Sequence, residues 1–165
     1  MQKIKKNSVK KHVIVLYLLL TPGLIALYAG GASAKAASFG DITGKDWLLS
    51  EVKTAGGSIK MDRQKLAEDN MAGVYSIRFD GERAMAMGMG APNRYTAPFI
   101  AGEGFSLRMG PAAATLMMGI KEPEGLNERE YFAYLETVTN WALKGGTLEL
   151  SCKDSSGGSA VLVFN

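Results

Sequence analysis

Residues 88–95 read GMGAPNRY and residues 109–118 read MGPAAATLMM. Each stretch combines glycine and proline, which favour turns, with apolar residues that suit short β-strands. In the first, the Pro-Asn pair at 92–93 predicts a turn that connects two strands. In the second, residues 113–118 predict a short apolar strand that follows a Gly-Pro turn. Both stretches therefore indicate a sheet built from short, closely connected strands.

Strand signals continue on both sides of these stretches. Apolar and polar residues alternate in short runs bounded by turn residues, as half-buried strands require. The runs cover residues 47–52, 74–79, 83–89, 95–100, 105–109, 141–144, 147–150 and 160–164. Asp80 and Gly81 predict a tight type I′ hairpin, because that turn needs positive φ at its two central residues. Gly145 and Gly146 predict a second hairpin, and residues 62–70 predict a short surface helix.

The best-marked element is a longer helix that begins after Asn127. Asn127 as N-cap and Glu130 three residues later form a capping-box pattern, and Leu126 with Tyr131 is spaced for a hydrophobic staple. The apolar face of this helix consists of Tyr131, Phe132, Leu135 and Val138. About eight short strands with one such helix indicate an α+β fold. We expect a curled antiparallel β-sheet or open β-barrel with the main α-helix packed on it.

The first 34 residues have the features of an export signal. Five lysines and no acidic residue precede an apolar run at residues 13–28, which leads to the small residues at 32–34. This order is typical of a secretory signal peptide. The run is interrupted by a Thr-Pro-Gly triplet and is shorter than the roughly 20 residues of a spanning helix. We therefore expect a soluble product cleaved after Ala34 or after Ala36, with an uncleaved anchor as the alternative.

Removing this signal changes the charge of the chain. The whole sequence has 19 basic and 16 acidic residues, and loss of five lysines changes its formal charge from +3 to −2. Because no basic stripe remains on the mature chain, nucleic acid is not an expected partner.

Two residue counts exclude several kinds of chemistry. His12, the only histidine, leaves with the signal, and Cys152 is the only cysteine. The mature chain therefore has no Ser-His or Cys-His catalytic pair, no His/Cys zinc site and no intrachain disulfide. Only Lys153 lies near Cys152 in sequence, so we predict a half-buried, inert thiol rather than a reactive thiolate. We expect neither a cofactor nor a bound metal.

Five features occur in a fixed order along the mature chain. They are Trp47, the glycine-rich turn at 90–95, Thr115 with its following methionines, the helical segment at 130–135, and Leu148-Glu149-Leu150 before a terminal apolar strand. With these features, the chain from about Thr43 to Phe164 resembles the META domain family, which includes HslJ-like heat-shock proteins of the bacterial envelope. The resemblance predicts a short flexible N-terminus at 35–42 and a META-like domain at 43–165.

The chain also departs from the family pattern. Many relatives have Gly-Cys-Asn where this chain has Ala91-Pro92-Asn93, and a second cysteine near the position of Gly119. Both cysteines are absent, as if the pair had been lost as a unit. This difference argues against a redox role.

Asn93, Arg94 and Tyr95 form a candidate recognition corner, in which Arg94 is placed to reach an anionic group. The alternative is a structural turn, in which Asn93 tolerates the required backbone and Tyr95 packs against the core. Turn chemistry favours this second interpretation. The nearby glycines at 88 and 90 resemble a phosphate-binding loop only weakly, because a third glycine and a following helix are missing.

Met85, Met87 and Met89 alternate with small residues, which places three thioethers on one face of a strand. Together with Met117 and Met118 they are candidates for a Cu(I) site or for a lining that adapts to lipid. However, alternating apolar residues usually form core, and soft-metal sites usually include cysteine or histidine. We therefore predict that this stripe packs in the core and binds no metal.

Four glutamates surround the start of the predicted helix: Glu122, Glu124, Glu128 and Glu130. A pair of carboxylates there would suit acid–base catalysis. Negative charge near a helix N-terminus also stabilises the helix by about 0.3–1 kcal/mol per group. Helix stabilisation therefore accounts for the cluster without catalysis.

These observations favour an exported, non-catalytic domain of the bacterial envelope, either periplasmic or secreted. The resemblance implies a role in stress tolerance, or in binding an envelope protein or an apolar ligand. The alternatives are an inhibitor or accessory subunit of an envelope enzyme or secretion machine, and an enzyme that uses carboxylates. Membrane contact is expected only through an uncleaved signal. A ligand-sized cavity inside the barrel would favour an apolar ligand, whereas a filled barrel with an exposed apolar patch would favour a protein partner.

Overall fold

The computed structural model describes residues 37–117 and 122–165. The predicted export signal at 1–34, with its alternative end at 36, lies outside these residues. Within the described part of the chain, no helix is both long enough and apolar enough to cross a bilayer.

The described residues form ten strands, two α-helices and two short 3₁₀ helices. The strands are β1 (Trp47–Thr54), β2 (Gly57–Lys60), β3 (Ser76–Asp80), β4 (Met85–Met89), β5 (Arg94–Ala101), β6 (Leu107–Met109), β7 (Ala113–Ala114), β8 (Asn140–Lys144), β9 (Thr147–Lys153) and β10 (Ser159–Phe164). The α-helices are α1 (Arg63–Glu68) and α2 (Glu128–Glu136), and the 3₁₀ helices are Phe39–Ile42 and Pro123–Gly125.

The strands make one antiparallel sheet that curls into a nearly closed barrel. Its order is β6-β5-β4-β3-β1-β10-β9-β8, with β2 added to β1 and β7 added to β5. The two ends of this order meet at a bridge between Ser106 and Asn140. Beside it, the Leu107 amide donates to the Thr139 carbonyl at 3.0 Å and the Trp141 amide donates to the Phe105 carbonyl at 2.9 Å. The expected α+β, barrel-like architecture is confirmed.

One continuous cluster of buried side chains fills the barrel. Its largest fully buried members are Trp141, Tyr75, Tyr131, Phe79, Phe164 and Ile42. Aromatic rings meet edge to face within it, as between Phe79 and Phe99, whose centroids are 5.3 Å apart. Such offset contacts add to the free energy gained by burial. The interior is therefore a packed core.

The folded domain begins earlier than the sequence predicts. Residues 39–42 fall in the stretch that was expected to be flexible, but they form a 3₁₀ helix. Ile42 is fully buried, and the Phe39 ring contacts those of Phe79 and Trp141 at 5.5 and 5.6 Å. This aromatic anchor holds residues 39–42 against the core.

Arg63, the first residue of α1, makes hydrogen bonds both to β1 and to the segment before β3. Its Nε donates to the Leu49 carbonyl at 2.7 Å, and its Nη1 donates to the Val74 carbonyl at 2.8 Å. Tyr75 has a φ of 52°, so the strand predicted at 74–79 begins only at Ser76. The Arg63 guanidinium therefore donates hydrogen bonds to backbone carbonyl groups where the β1–β3 ladder is interrupted.

The hairpin after β3 joins the predicted strands through a longer turn than expected. Residues 81–84 make this turn, and the Asp80 Oδ1 accepts hydrogen bonds from the Glu82 and Arg83 amides, both at 3.1 Å. Positive φ falls on Ala84, at 53°, and not on Gly81. The type I′ prediction is wrong because the Asp80 side chain satisfies the turn amides itself.

Two further boundaries differ from prediction. The residues after Gly56 form a strand, β2, that was not predicted, and it pairs with the second half of β1. Of the strand expected at 113–118, only Ala113–Ala114 form a strand among the described residues, and Met118 lies outside them.

Met85 and Met87 on β4 face outward, so their predicted place in the core is wrong, whereas Met89, at the end of the strand, is half-buried and also packs against the core cluster. Ala86 is fully buried between Phe79 on β3 and Ala97 on β5, whereas Met85, Met87 and Met89 are half-buried on the opposite face. Gly88 shares the inward face, where an added Cβ would lie 2.0 Å from the Ser76 carbonyl oxygen. The small residues face inward because the inward side chains of the adjacent strands, such as Phe79 and Tyr95, are bulky.

Helix α2 begins as predicted. The Asn127 Oδ1 accepts a hydrogen bond from the Glu130 amide at 2.8 Å, which confirms the N-cap. The Glu130 carboxylate accepts a bond from the Tyr134 hydroxyl at 3.2 Å, so it is not reserved for the reciprocal bond of a capping box. The buried residues on this face are Tyr131, Tyr134, Leu135 and, just after the helix, Val138, while Phe132 is partly buried.

Candidate functional site

The turn between β4 and β5 is built around a buried asparagine. The Ala91–Pro92 peptide bond is cis, and the Gly90 amide donates to the Asn93 carbonyl at 2.7 Å. Asn93 is a polar residue that is buried, with 5% of its surface exposed. Its side chain therefore needs internal hydrogen-bond partners.

Glu128, in the first turn of α2, supplies several of these partners. Its Oε1 accepts from the Ala91 amide at 2.8 Å and the Asn93 amide at 2.7 Å, and its Oε2 accepts from the Asn93 Nδ2 at 2.6 Å. Charge-assisted bonds of this kind are stronger than neutral ones. Glu128 thus fixes the turn against the helix.

The Asn93 side chain also holds the chain that follows β7. Its Oδ1 accepts from the Thr115 hydroxyl at 2.8 Å and from the Met117 amide at 2.6 Å, and its Nδ2 donates to the Met117 carbonyl at 3.0 Å. One amide side chain therefore joins the turn, α2 and residues 115–117.

Gly90 is required by this arrangement. A Cβ at this position would lie 2.5 Å from the Glu128 Oε1 and 2.9 Å from the Phe132 Cζ. Space is equally tight at Gly88. Close packing therefore accounts for both glycines of the weak phosphate-loop pattern.

The three residues of the candidate recognition corner are placed differently. Asn93 and Tyr95 are buried, and the Tyr95 hydroxyl lies 3.0 Å from the Ser76 carbonyl oxygen and 3.3 Å from the Tyr131 hydroxyl. Burial raises the pKa of Tyr95 and of Tyr131. Arg94 is the member whose side chain is exposed to solvent.

An open apolar groove lies between α2 and residues 112–117. We call it the α2 groove; it has a volume of about 670 Å³. Leu116 is fully exposed at its edge, and Met117 is 63% exposed. Phe132 and Ala133 line the helix side, together with the charged Glu128, Arg129 and Glu136. Sequence reasoning placed Leu116 and Met117 in a strand and missed this surface, because their exposure depends on where β7 ends.

Three of the acidic residues near α2 have different partners. Glu124 pairs with Lys65 at 3.2 Å, Glu128 binds the turn, and Glu130 accepts from Tyr134. Among the described residues, no three His, Cys, Asp or Glu side chains are grouped so that they could hold a metal ion.

Cys152 lies on β9 and is buried more completely than predicted, with 6% of its surface exposed. Burial raises the pKa of its thiol to about 12. The thiol is therefore protonated at neutral pH, as expected of an inert cysteine.

Comparison with known proteins identifies the family. No curated protein matches the chain. A protein from Burkholderia xenovorans, solved by NMR, has a similar fold: the TM-score is 0.55 and the sequence identity 19%, over 76% of this chain and 83% of that one. The family model of the META domain matches residues 40–164. The chain therefore belongs to the META domain family.

Proposed function

We propose that this chain is an exported, non-catalytic META-domain protein of the bacterial envelope, and that it binds a protein partner through the α2 groove. One observation carries the proposal. The barrel interior is filled by side chains, whereas Leu116 and Met117 are exposed beside an apolar groove. Exposing apolar surface to water is unfavourable in free energy, so an exposed apolar patch is typical of a binding site.

The composition of the groove suits a protein partner. Phe132, Met117 and Leu116 provide apolar area, and charged side chains of α2 lie at its margin. An apolar centre with a polar rim is the common arrangement of protein–protein interfaces. The hydrogen bonds that the Thr115 hydroxyl and the Met117 amide donate to the Asn93 Oδ1 hold one wall of the groove in place, which lowers the entropy lost on binding.

The roles of the glutamates support a non-catalytic domain. The carboxylates of Glu124, Glu128 and Glu130 each have a structural partner: Lys65, the backbone of the β4–β5 turn and the Tyr134 hydroxyl. General acid–base catalysis needs such groups directed at a bound substrate.

A photo-crosslinking amino acid at position 116, introduced into the full chain in its own cells, tests the binding proposal. We expect a discrete cross-linked product with one protein. The same amino acid at Glu82, which is exposed in the β3–β4 turn, is the matched control and should give none. If position 116 gives no product, or both positions give the same products, the groove is not a partner site. A product with an envelope enzyme would favour the inhibitor or accessory-subunit alternative.

Export is tested separately by cell fractionation and N-terminal sequencing. We expect the protein in the soluble envelope fraction, beginning at Lys35 or Ala37, because the predicted cleavage follows Ala34 or Ala36. A chain that retains Met1 in the membrane fraction would contradict cleavage and support an anchored protein.

A further inference from the structure

We propose that the outer face of β3, β4 and β5 binds a single-chain amphiphile with an anionic headgroup. The site is an open groove of about 490 Å³, lined among others by Arg78, Met87, Met89, Arg94 and Thr96. We call it the Met–Arg groove. It is separate from the α2 groove, and neither proposal depends on the other.

The strand register brings these side chains together. Met87 on β4 pairs with Arg78 on β3 and with Thr96 on β5, so these three residues form one row. Met89 pairs with Arg94 in the next row. Arg78 and Arg94 therefore lie diagonally across the methionines, on strands about 10 Å apart. Two long side chains that extend from these positions can reach one small anionic group between them.

The arginines are available to an anion. Arg78 pairs with Asp46 at 3.3 Å, but the Asp46 side chain is 71% exposed, so this contact is exchangeable with solvent or a ligand. Arg94 has no ion-pair partner among the described residues. A guanidinium group presents paired donors that match a carboxylate or phosphate.

The methionines provide the apolar part of the site. Met87 and Met89 are half-buried, and the Met89 sulfur lies 3.9 Å from the position of a Cβ on Gly73, against the segment that bounds one end of the groove. Methionine side chains are flexible and polarizable, so they adapt to an alkyl chain. The groove volume falls within the range of about 300–1,000 Å³ that is usual for small-molecule sites.

Two other ligands fit this surface less well. Residues 85 and 89 are four positions apart, or about 13 Å along a strand, so three thioethers cannot meet on one Cu(I) ion. The two arginines, which outnumber the single lining carboxylate of Asp46, would also repel a cation. A bilayer surface favours apolar side chains that protrude, whereas these methionines are recessed between arginines. The groove therefore suits a free amphiphile.

Calorimetric titration of the mature full-length protein with dodecanoate, below its micelle concentration, tests the proposal. We expect saturable binding with one site per chain. Inorganic phosphate and the uncharged dodecyl maltoside should each bind at least tenfold more weakly, because each has only one of the two required features. Arg94→Gln should weaken dodecanoate binding at least tenfold. The matched control is Arg108→Gln, an exposed arginine on β6 outside the groove, and it should leave the affinity unchanged.

Three results would overturn the proposal. The first is equal binding by wild type and Arg94→Gln, with both proteins folded as judged by their melting temperatures. The second is loss of binding in Leu116→Asp, which would place the ligand in the α2 groove. The third is association with phosphatidylglycerol vesicles without binding of monomeric dodecanoate, which would indicate a membrane surface.

Discussion

Asn93 shows how much of this fold depends on a single side chain. Its amide bonds to Glu128 on α2 and to Thr115 and Met117 after β7, while its own backbone forms the turn after a cis proline. No local feature of the sequence predicts these contacts, because the bonded residues lie 22 to 35 positions away. The sequence did identify Asn93 as a turn residue, and that interpretation explains its backbone but not its burial.

Replacing Asn93 should destabilise the protein strongly. Asn93→Ala removes the acceptor of the Met117 amide and the donor to the Glu128 Oε2, although the Glu128 Oε1 keeps its two backbone amides. We therefore expect a loss of about 1.5–3 kcal/mol in the free energy of unfolding. Urea denaturation measures this loss. A cost below about 0.5 kcal/mol would show that water replaces the amide.

Asn93→Asp tests the effect of charge at this position on stability, because Asp has nearly the same shape as Asn. This variant keeps an acceptor for Thr115 and Met117 but places a second carboxylate at the 2.6 Å contact with Glu128. Two carboxylates this close do not both ionise readily. We therefore expect Asn93→Asp to lose more stability at pH 7 than at pH 4, where the pair retains a proton. Equal losses at both pH values would contradict this explanation.

Met87 tests the corrected orientation of β4. Because this side chain is half-buried on the outer face, Met87→Ala should cost less than the roughly 2–5 kcal/mol of a core methionine, and Met87→Leu less than about 1.5 kcal/mol. Ile77→Ala on the neighbouring strand is fully buried and should fall within the core range. If Met87→Ala and Ile77→Ala cost the same in urea melts, the methionine stripe faces inward after all.

At the scale of elements, the sequence predicts what is locally encoded. The strands at Trp47, Tyr95, Trp141 and Ala160 and the N-cap at Asn127 follow from alternation, turn residues and capping, each of which acts within a few residues. The inward face of β4 was predicted wrongly because it depends on Phe79 and Ala97 in neighbouring strands. The α2 groove was missed for the same kind of reason, since it lies between elements that are distant in sequence.

The N-cap of α2 is a second test of stability. Asn127→Ala should cost about 0.5–2 kcal/mol because the Glu130 amide loses its acceptor, whereas Asn127→Gly should cost only a few tenths relative to Asn. Urea denaturation of both variants measures the difference. Equal, negligible effects would mean that the cap contributes nothing to the helix.

Arg63 should stabilise the junction of β1 and β3. Arg63→Met keeps most of the aliphatic stem but removes the donors to Leu49 and Val74, so we expect a loss of about 1.5–3 kcal/mol. Gln64→Met, on the exposed side of the same helix, should stay within about 0.5 kcal/mol of wild type. Similar losses in the two variants would indicate that the cost comes from α1 itself.

At the scale of the whole molecule, a filled barrel places binding on its outer surface. The outer faces of β3, β5 and β6 carry Arg78, Arg94 and Arg108, whereas the region around α2 is rich in glutamate. The two grooves therefore offer different chemistry, with methionine and arginine in one and an apolar surface with an acidic margin in the other. Sequence composition gave the net charge but not this separation, which depends on how the strands are ordered.

The same filled barrel predicts a loss of stability at alkaline pH. Burial raises the pKa of Cys152 to about 12 and raises the pKa values of Tyr75, Tyr95 and Tyr131 above their ordinary value. In the unfolded chain these groups lose their protons near 9.0 for the thiol and 10.0 for the phenols. Below pH 9 both states hold the protons and the contribution is constant. Above it the unfolded state releases protons first, so the free energy of unfolding falls as the pH rises toward 12.

Urea melts at a series of pH values from 7 to 11 measure this decline, and Cys152→Ala identifies the share of the thiol. Without the thiol, the loss of stability should begin about one unit later, because the phenols titrate at the higher pH. In the native protein at pH 8, Cys152 should also resist a thiol reagent that labels it rapidly in urea, since the thiolate is the reactive form. Rapid labelling of the folded protein, or stability that stays constant between pH 8 and 11, would show that water reaches these groups and that the barrel is less tightly packed than its structure indicates.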